Sequence, residues 1–487
     1  MKQFLKYNVI KLVLLVSVFL LTSISNSFGQ SKAEKIKELM SVNNEYGLFN
    51  GSVLVVENGK VIYNEGVGFA NMEWDIPNKP NTKHRLGSIT KQFTSMLILQ
   101  LVEQGKLKLD AKISNYLPDY PKKTGNQITV HHLLTHTSGI PEFLMIPNFM
   151  KEYSRNTYTP NEFISLFSDL PLQFKPGKKF SYSNSGYFLL GVLIEKITGK
   201  SYEQVLHENI FIPLKMKNTG FDHHSTLLKN RATGYLKTGK IYSNSNFGDM
   251  SIPYAAGSMY STTEDLFIWD KALSANLLLK EKYKKLLFKP YVSAWGGSYG
   301  YGWHIIEKSI GGKKVKIINH TGGINGFTTV IYRMPEQNNL IVLLNNVENT
   351  NLTNIGLSIG SILYNGPYVL PKQSFADLLM ETAMIEGFDI AFRKFVKFKD
   401  TDNYSIKENE INNLGYQLLG MNKVVEAIEI LKLNVDKFPN SWNTYDSLGE
   451  AYLINGSIKM AILNYKKSLK LNPKNLAGKK ALKKLQN

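Results

Sequence analysis

The sequence predicts an α+β globular body followed by an all-α repeat segment. Two observations carry the first part. An apolar strand pair stands early, Val53-Leu54-Val55-Val56 and Val61-Ile62-Tyr63 around Asn58-Gly59, and strand-like runs stand late, at residues 301–306, 315–318, 327–332 and 340–345, with helical runs between. Helices inserted between early and late strands imply one sheet whose first and last strands meet, not a repetitive βαβ chain. A 34-residue period beginning near Asn412 predicts the repeat segment.

The 487 residues exceed one typical domain, and 43% hydrophobic content with 11% aromatics supports a sizeable core. Residues 1–30 read as a secretory signal peptide, with Lys2, Lys6 and Lys11 ahead of an apolar stretch and Ser27-Phe28-Gly29 as a cleavage site. That stretch is about half the ~20 residues a membrane-spanning helix needs. The mature chain is therefore expected to be exported, periplasmic or extracellular, with no stable membrane span. Having no cysteine, it forms no disulfide and no zinc-thiolate site. The net charge of +19 is spread along the chain instead of being interleaved with aromatics in one patch, and with export this argues against nucleic acid as a partner. One local excess runs from Lys459 onward, where nine lysines meet no acidic residue.

Taken in order, residues 31–46 read as a helix, and the Asn58-Gly59 pair reads as a type I′ hairpin turn. A helix beginning near Ser88 follows, from the apolar periodicity of Phe93, Met96, Leu97, Leu99, Leu101 and Val102 up to Gly105. Mixed helices and loops continue to about Phe288. Among them Tyr182 and Asn184 fall in a loop just ahead of the helical run Leu189, Leu190, Val192, Leu193 and Ile197. Asn319-His320-Thr321-Gly322-Gly323-Ile324-Asn325-Gly326 lies between two late strands, either as a glycine-rich ligand approach or as a plain hairpin turn.

Ser88 and Lys91, three apart on a helix, share a face. A serine alcohol needs a neighbour to accept its proton, and a lysine held among apolar groups has the depressed pKa to do so. The helix N-terminus offers free N–H groups to a developing oxyanion. Alone the pair is weak evidence, since Ser-x-x-Lys also occurs on surface helices as a cap and a solvated amine. His132 and His136 stand four apart without the intervening glutamate of a zinc protease, so His136 is read as a hydrogen-bonding residue, and neither metal nor cofactor is expected.

Ser88-x-x-Lys91, Tyr182-x-Asn184 and His320-Thr321-Gly322, in that order, resemble the serine β-lactamase and penicillin-binding protein superfamily. The branch resembled contains class C β-lactamases, D-alanyl-D-alanine carboxypeptidases and esterases. Leu134-Thr135-His136-Thr137-Ser138-Gly139-Ile140, Pro176-Gly177, residues 257–262 and Tyr299-Gly300-Tyr301-Gly302-Trp303 extend the resemblance, which spans residues 53–345. It implies a β-lactamase/transpeptidase-like fold: a five-stranded antiparallel sheet flanked by helices, an all-helical subdomain, and an active site between them. It further implies Ser88 as nucleophile, Lys91 and Tyr182 sharing the role of general base, and an oxyanion held by the N–H groups of Ser88 and Gly323. Asn184 would hold the lysine or the substrate amide, and His320, Thr321, Gly322 and Gly323 would bind substrate. Most β-lactamases of the superfamily carry lysine where this chain has His320, and a histidine pulls less on a β-lactam carboxylate.

In the repeat segment Leu414-Gly415 recurs as Leu448-Gly449, Ala427 as Ala461 and Pro439 as Pro473, a tetratricopeptide-like period. Two such helix pairs, with the last helix and helices near residues 375–398, form a minimal stack. They bind a protein partner or pack on the catalytic domain. The expected domains are the signal peptide (1–30), the hydrolase domain (31–370) and the helical linker with repeats (371–487). The expected function is an exported serine hydrolase working through a Ser88 acyl-enzyme on a small-molecule or peptide substrate: a D-alanyl peptide, small ester or β-lactam. The alternative is a catalytically silent module sensing muropeptides or β-lactams and signalling through the repeats.

Overall fold

A computed structural model describes residues 30–486 except 239–240, 349, 399–400 and 402–403. The expected signal peptide, apart from Gln30, lies outside the described residues. Helix α1 (Lys32–Glu45) opens with a capping box in which Ser31 accepts from the Glu34 N–H and Glu34 accepts from the Ser31 N–H. Strands β1 (Gly51–Glu57) and β2 (Lys60–Val67) form the expected hairpin. Asn58 (φ 49°) and Gly59 (φ 78°) are both left-handed, as a type I′ turn requires.

Helices α2 (Thr90–Glu103), α3 (Asn184–Thr198) and α4 (Thr263–Ser274) belong to the long insertion between the early and late strands. The late strands are β3 (Val292–Ala294), β4 (Gly297–Tyr299), β5 (His304–Ile310), β6 (Lys313–Ile324), β7 (Phe327–Met334) and β8 (Asn339–Asn345). All pair antiparallel in the order β3-β4-β5-β6-β7-β8-β1-β2. First and last strands meet as expected, with Gly51 opposite Asn345 and Val56 opposite Leu340.

Three details differ from the sequence reading. The sheet has eight strands where the resemblance implies five. Six are the runs visible in the sequence, and two come from a short edge hairpin that turns at Trp295 (φ 46°) and Gly296 (φ 75°). The run expected at residues 301–306 starts as a strand only at His304, because the Gly300 N–H bonds to the Trp303 carbonyl and Gly302 (φ 77°) closes a turn against α2. The glycine-rich stretch divides: Thr321, Gly322 and Gly323 belong to β6, paired with Val330, Thr329 and Thr328, and only its end, Asn325-Gly326, is the hairpin turn.

The sheet is covered on both faces, so its central strands are apolar throughout. Side chains alternate between faces. Leu54, Val56, Leu340, Val342 and Leu344 join the core of α2 and α3, while Val53, Val55, Ile341 and Leu343 join a second core with α1 and α5 (Leu352–Leu363).

Seven helices follow: α6 (Phe375–Ile385), α7 (Phe388–Phe398), α8 (Glu408–Gly420), α9 (Val424–Lys437), α10 (Trp442–Ile454), α11 (Ile458–Leu471) and α12 (Leu476–Gln486). They hold two cores of their own, one around Phe375, Leu379, Ile411 and Leu418, the other around Leu431, Leu448 and Tyr465. The 34-residue period has a packing cause. A Cβ on Gly415 would meet Leu431 at 2.6 Å, and one on Gly449 would meet Tyr465 at 3.2 Å, so each glycine admits the residue sixteen positions on. Among the described residues no helix is long and apolar enough to cross a membrane.

Candidate active site

The Ser88 corner is built by close backbone packing. Ser88 lies in a 3-10 turn, Gly87–Ile89, and the α-helix proper begins at Thr90, slightly later than the sequence periodicity suggests. Gly87 is left-handed (φ 54°), and a Cβ there would lie 2.8 Å from the Gly323 backbone. A Cβ on Gly322 would lie 1.9 Å from the Leu86 carbonyl, which the Thr329 hydroxyl also holds at 2.8 Å. The serine turn thus sits directly on β6. Past the His304–Asn319 pair, β6 has no ladder partner on its β5 side, so this edge faces the serine turn.

Lys91 is 0% exposed. Its Nζ lies 2.7 Å from Asn184 Oδ1, 2.8 Å from the Ala256 carbonyl oxygen and 3.0 Å from Ser88 Oγ. Burial pulls the amine down to about 7, against the opposing pull of the Glu142 carboxylate. A neutral amine has two N–H donors and one lone pair. Asn184 Oδ1 and the Ala256 carbonyl can only accept, so they take both donors, and the lone pair is left for the Ser88 hydroxyl proton.

The Tyr182 ring centroid lies 4.8 Å from Lys91 Nζ. Its phenol bonds to Ser88, but burial pushes it well above its usual range and outweighs that bond. Burial therefore keeps the phenol protonated and a hydrogen-bond donor, and of the two groups it leaves the lysine as the readier proton acceptor.

His320 takes part in a fixed hydrogen-bond chain. The Ser183 N–H donates to His136 Nδ1 (3.0 Å), which leaves Nε2–H to donate to the Tyr299 hydroxyl (3.2 Å). At the other end His320 Nδ1–H donates to the Thr321 carbonyl (2.6 Å), so its Nε2 accepts from Tyr299 at 2.9 Å. Burial holds both imidazoles neutral, His320 down to about 3 and His136 well below its ordinary value. His136 has the hydrogen-bonding role that the sequence suggests, and its ring also lies against Tyr182, centroids 4.2 Å apart.

Ser88, Asn184, Thr321, Gly322 and Gly323 line one cavity of about 520 Å³. Phe143, Leu144, Phe149, Met150 and Ile252 make one wall of it apolar. His320 is buried, with both ring nitrogens bonded. Arg85, also at the cavity, is engaged by buried Asp222, which holds Arg231 as well.

Two participants escaped the sequence reading. The Ala256 carbonyl has no side-chain signature. Glu142 stands just beyond the Ser138-Gly139-Ile140 stretch and accepts from both the Asn184 side-chain amide (3.2 Å) and its backbone N–H (2.5 Å).

Comparison with known proteins agrees with this geometry. The β-lactamase family model matches residues 33–356. Penicillin-binding protein 4* of Bacillus subtilis is 30% identical over 363 residues, covering 71% of this chain and 79% of that one. The crystal structure of a penicillin-binding protein from Bacillus halodurans is 28% identical with a TM-score of 0.59, covering 66% of this chain and 98% of that one. D-amino acid amidase from Ochrobactrum anthropi SV3 is 26% identical with a TM-score of 0.59, covering 68% and 96%. The chain belongs to the β-lactamase family and is a β-lactamase-related serine hydrolase.

Proposed function

We propose that the chain is an exported hydrolase of the class C-related branch, forming an acyl-enzyme on Ser88 with an ester or amide that bears no free carboxylate, D-amino acid amides included. One observation carries the reading: the Lys91 amine, with both N–H donors occupied, presents its lone pair 3.0 Å from Ser88 Oγ. Ser88 Oγ attacks the substrate carbonyl as its proton passes to Lys91 Nζ. The carbonyl π pair becomes the oxyanion, held by the backbone N–H groups of Ser88 and Gly323. Collapse reforms the carbonyl and expels the leaving group, which takes a proton from the Lys91–Tyr182 pair. Water then attacks the ester as Lys91 takes its proton; collapse breaks the bond from the acyl carbon to Ser88 Oγ, which takes the proton from Lys91, and the acid is released.

Substrate charge follows from His320. A buried neutral imidazole gives β6 no cation for a carboxylate, which favours esters and amides over β-lactams and D-alanyl peptides with free carboxylates. The apolar wall suits an apolar acyl group. The C-terminal helices are proposed as tetratricopeptide-like repeats that bind a protein partner.

The test compares a p-nitrophenyl ester, a D-amino acid amide and benzylpenicillin, with intact mass followed in the same tubes. Turnover of the ester or amide, with little consumption of the penicillin, is the expected result. Turnover and acyl adduct should both vanish in Ser88→Ala. Undiminished hydrolysis in that variant would overturn the mechanism, and rapid penicillin consumption would overturn the substrate reading.

A further inference from the structure

Glu142 has no part in the reaction as written, yet it sits directly behind it. The carboxylate accepts from the backbone N–H of Asn184, first residue of α3, and from the Asn184 side-chain amide. A carboxylate at a helix N-terminus is favoured by the free N–H groups and the dipole there. Its own segment is pinned to the same helix: Ser185 Oγ accepts from the Phe143 N–H at 2.9 Å and donates to the Pro141 carbonyl at 2.7 Å.

The consequence lies in the direction of the Asn184 amide. An asparagine side chain can turn over and exchange its oxygen for its nitrogen. With Glu142 accepting from Nδ2, only one orientation remains, and Oδ1 faces Lys91 Nζ at 2.7 Å. In the reverse orientation Nδ2–H would donate to the Lys91 lone pair, and the amine would no longer face Ser88.

We infer that Glu142 is a positioning residue: it locks Asn184 so that the Lys91 lone pair points at Ser88. This rests on the Ser88–Lys91 reading above. The carboxylate's negative charge also favours the proton on Lys91, against burial, which lowers Lys91 and raises Glu142. The other titratable groups around the pair are the phenols of Tyr182 and Tyr187, which burial pushes up, and the neutral imidazoles of His136 and His320. None of these supplies a second negative charge to Lys91.

The experiment measures kcat/KM against pH on an activated ester for the full chain, with Ser88 labelling by a fluorophosphonate counting active sites. Wild type should rise with pH through about 7, as Lys91 loses its proton. The two Asn184 donors are held by different carboxylate oxygens, and glutamine replaces one of these by an NH2 and carries no charge. Glu142→Gln should lower kcat/KM per labelled site about a hundredfold, and should move the rising limb to lower pH. Glu142→Asp keeps the charge on a shorter arm, so it should lose less rate and leave the limb in place.

A purely structural role would reduce the count of active sites without moving the limb, and that result overturns the inference. So does a glutamine variant with wild-type kcat/KM. If the aspartate variant alone folds and its limb falls as far as removal of charge would take it, the inference also fails. Absence of label on Ser88 in wild type would instead remove the reading on which the inference depends, a separate and visible failure.

Discussion

Lys91 and the nine lysines from Lys459 to Lys484 are the same side chain in opposite surroundings. Lys91 is sealed among Asn184, Tyr182 and the Ala256 carbonyl, where the missing hydration lowers its amine to about 7. The nine lie exposed on α11, α12 and the turn between them, with no acidic residue in that stretch. Burial makes one lysine a base, and exposure leaves the others as solvated ammonium groups on helices whose apolar faces pack inward. The chemistry of lysine in this chain is therefore set by what surrounds it.

The comparison breaks most visibly at Lys91. Lys91→Ala removes the acceptor of the Ser88 proton, and Tyr182, held protonated, cannot take its place. Loss of kcat/KM on the order of a thousandfold is expected on an activated ester. Replacing all nine C-terminal lysines by glutamine should change the same constant by less than about twofold. Retained activity in Lys91→Ala would show that burial had not selected this amine as the base.

The two regions also differ in how packing is coupled to function. Gly415 gives room to Leu431 at a contact that a Cβ would bring to 2.6 Å. Gly415→Leu should destabilise the C-terminal helices by about 3 kcal/mol, through overpacking. Ester hydrolysis should remain at the wild-type level because Ser88 and Lys91 lie in a separate core. Chemical denaturation followed by circular dichroism, with activity read in parallel, checks this. A matching loss of hydrolysis would show that the helices support the catalytic body. Lys237–Asp377, at 2.9 Å, is an ion pair between that body and α6.

The parts legible in the sequence are those where chemistry demands a residue type. Ser88, Lys91, Tyr182 and Asn184 could be picked out only because Ser-x-x-Lys, Tyr-x-Asn and His-Thr-Gly stand in the order that resembles the family; the Ser-x-x-Lys pair alone is weak evidence. The 34-residue period was legible because Gly415 and Gly449 each face a bulky residue at a fixed distance. For Gly322 and Gly323 the sequence leaves turn and ligand approach open, because Gly-Gly ordinarily marks a turn; pairing with Thr328 and Thr329 overrides that local preference. For His320 the ring type alone suggests a weaker pull on a carboxylate than lysine would give; that Tyr299 and the Thr321 carbonyl bond both its nitrogens is known only from tertiary structure. Glu142 could not be weighed from the chain alone, because its importance arises from an asparagine 42 residues away.

Histidine sharpens the same contrast in acid. All nine histidines precede residue 371, so the C-terminal helices contain none. His320 is held neutral in the folded chain, down to about 3, whereas an unfolded histidine takes a proton near 6.5. The unfolded state therefore binds more protons between these values, and folding stability must fall as pH drops below about 6.5. By pH 5 this single residue should cost about 2 kcal/mol. His320→Gln keeps a donor and an acceptor without the titration, so it should flatten the acid loss of the catalytic body. Denaturation midpoints at pH 7 and pH 5, read from tryptophan fluorescence for the body and with His320→Gln beside wild type, give the answer. An acid loss of equal size in both would mean that another buried group, His136 foremost, governs it.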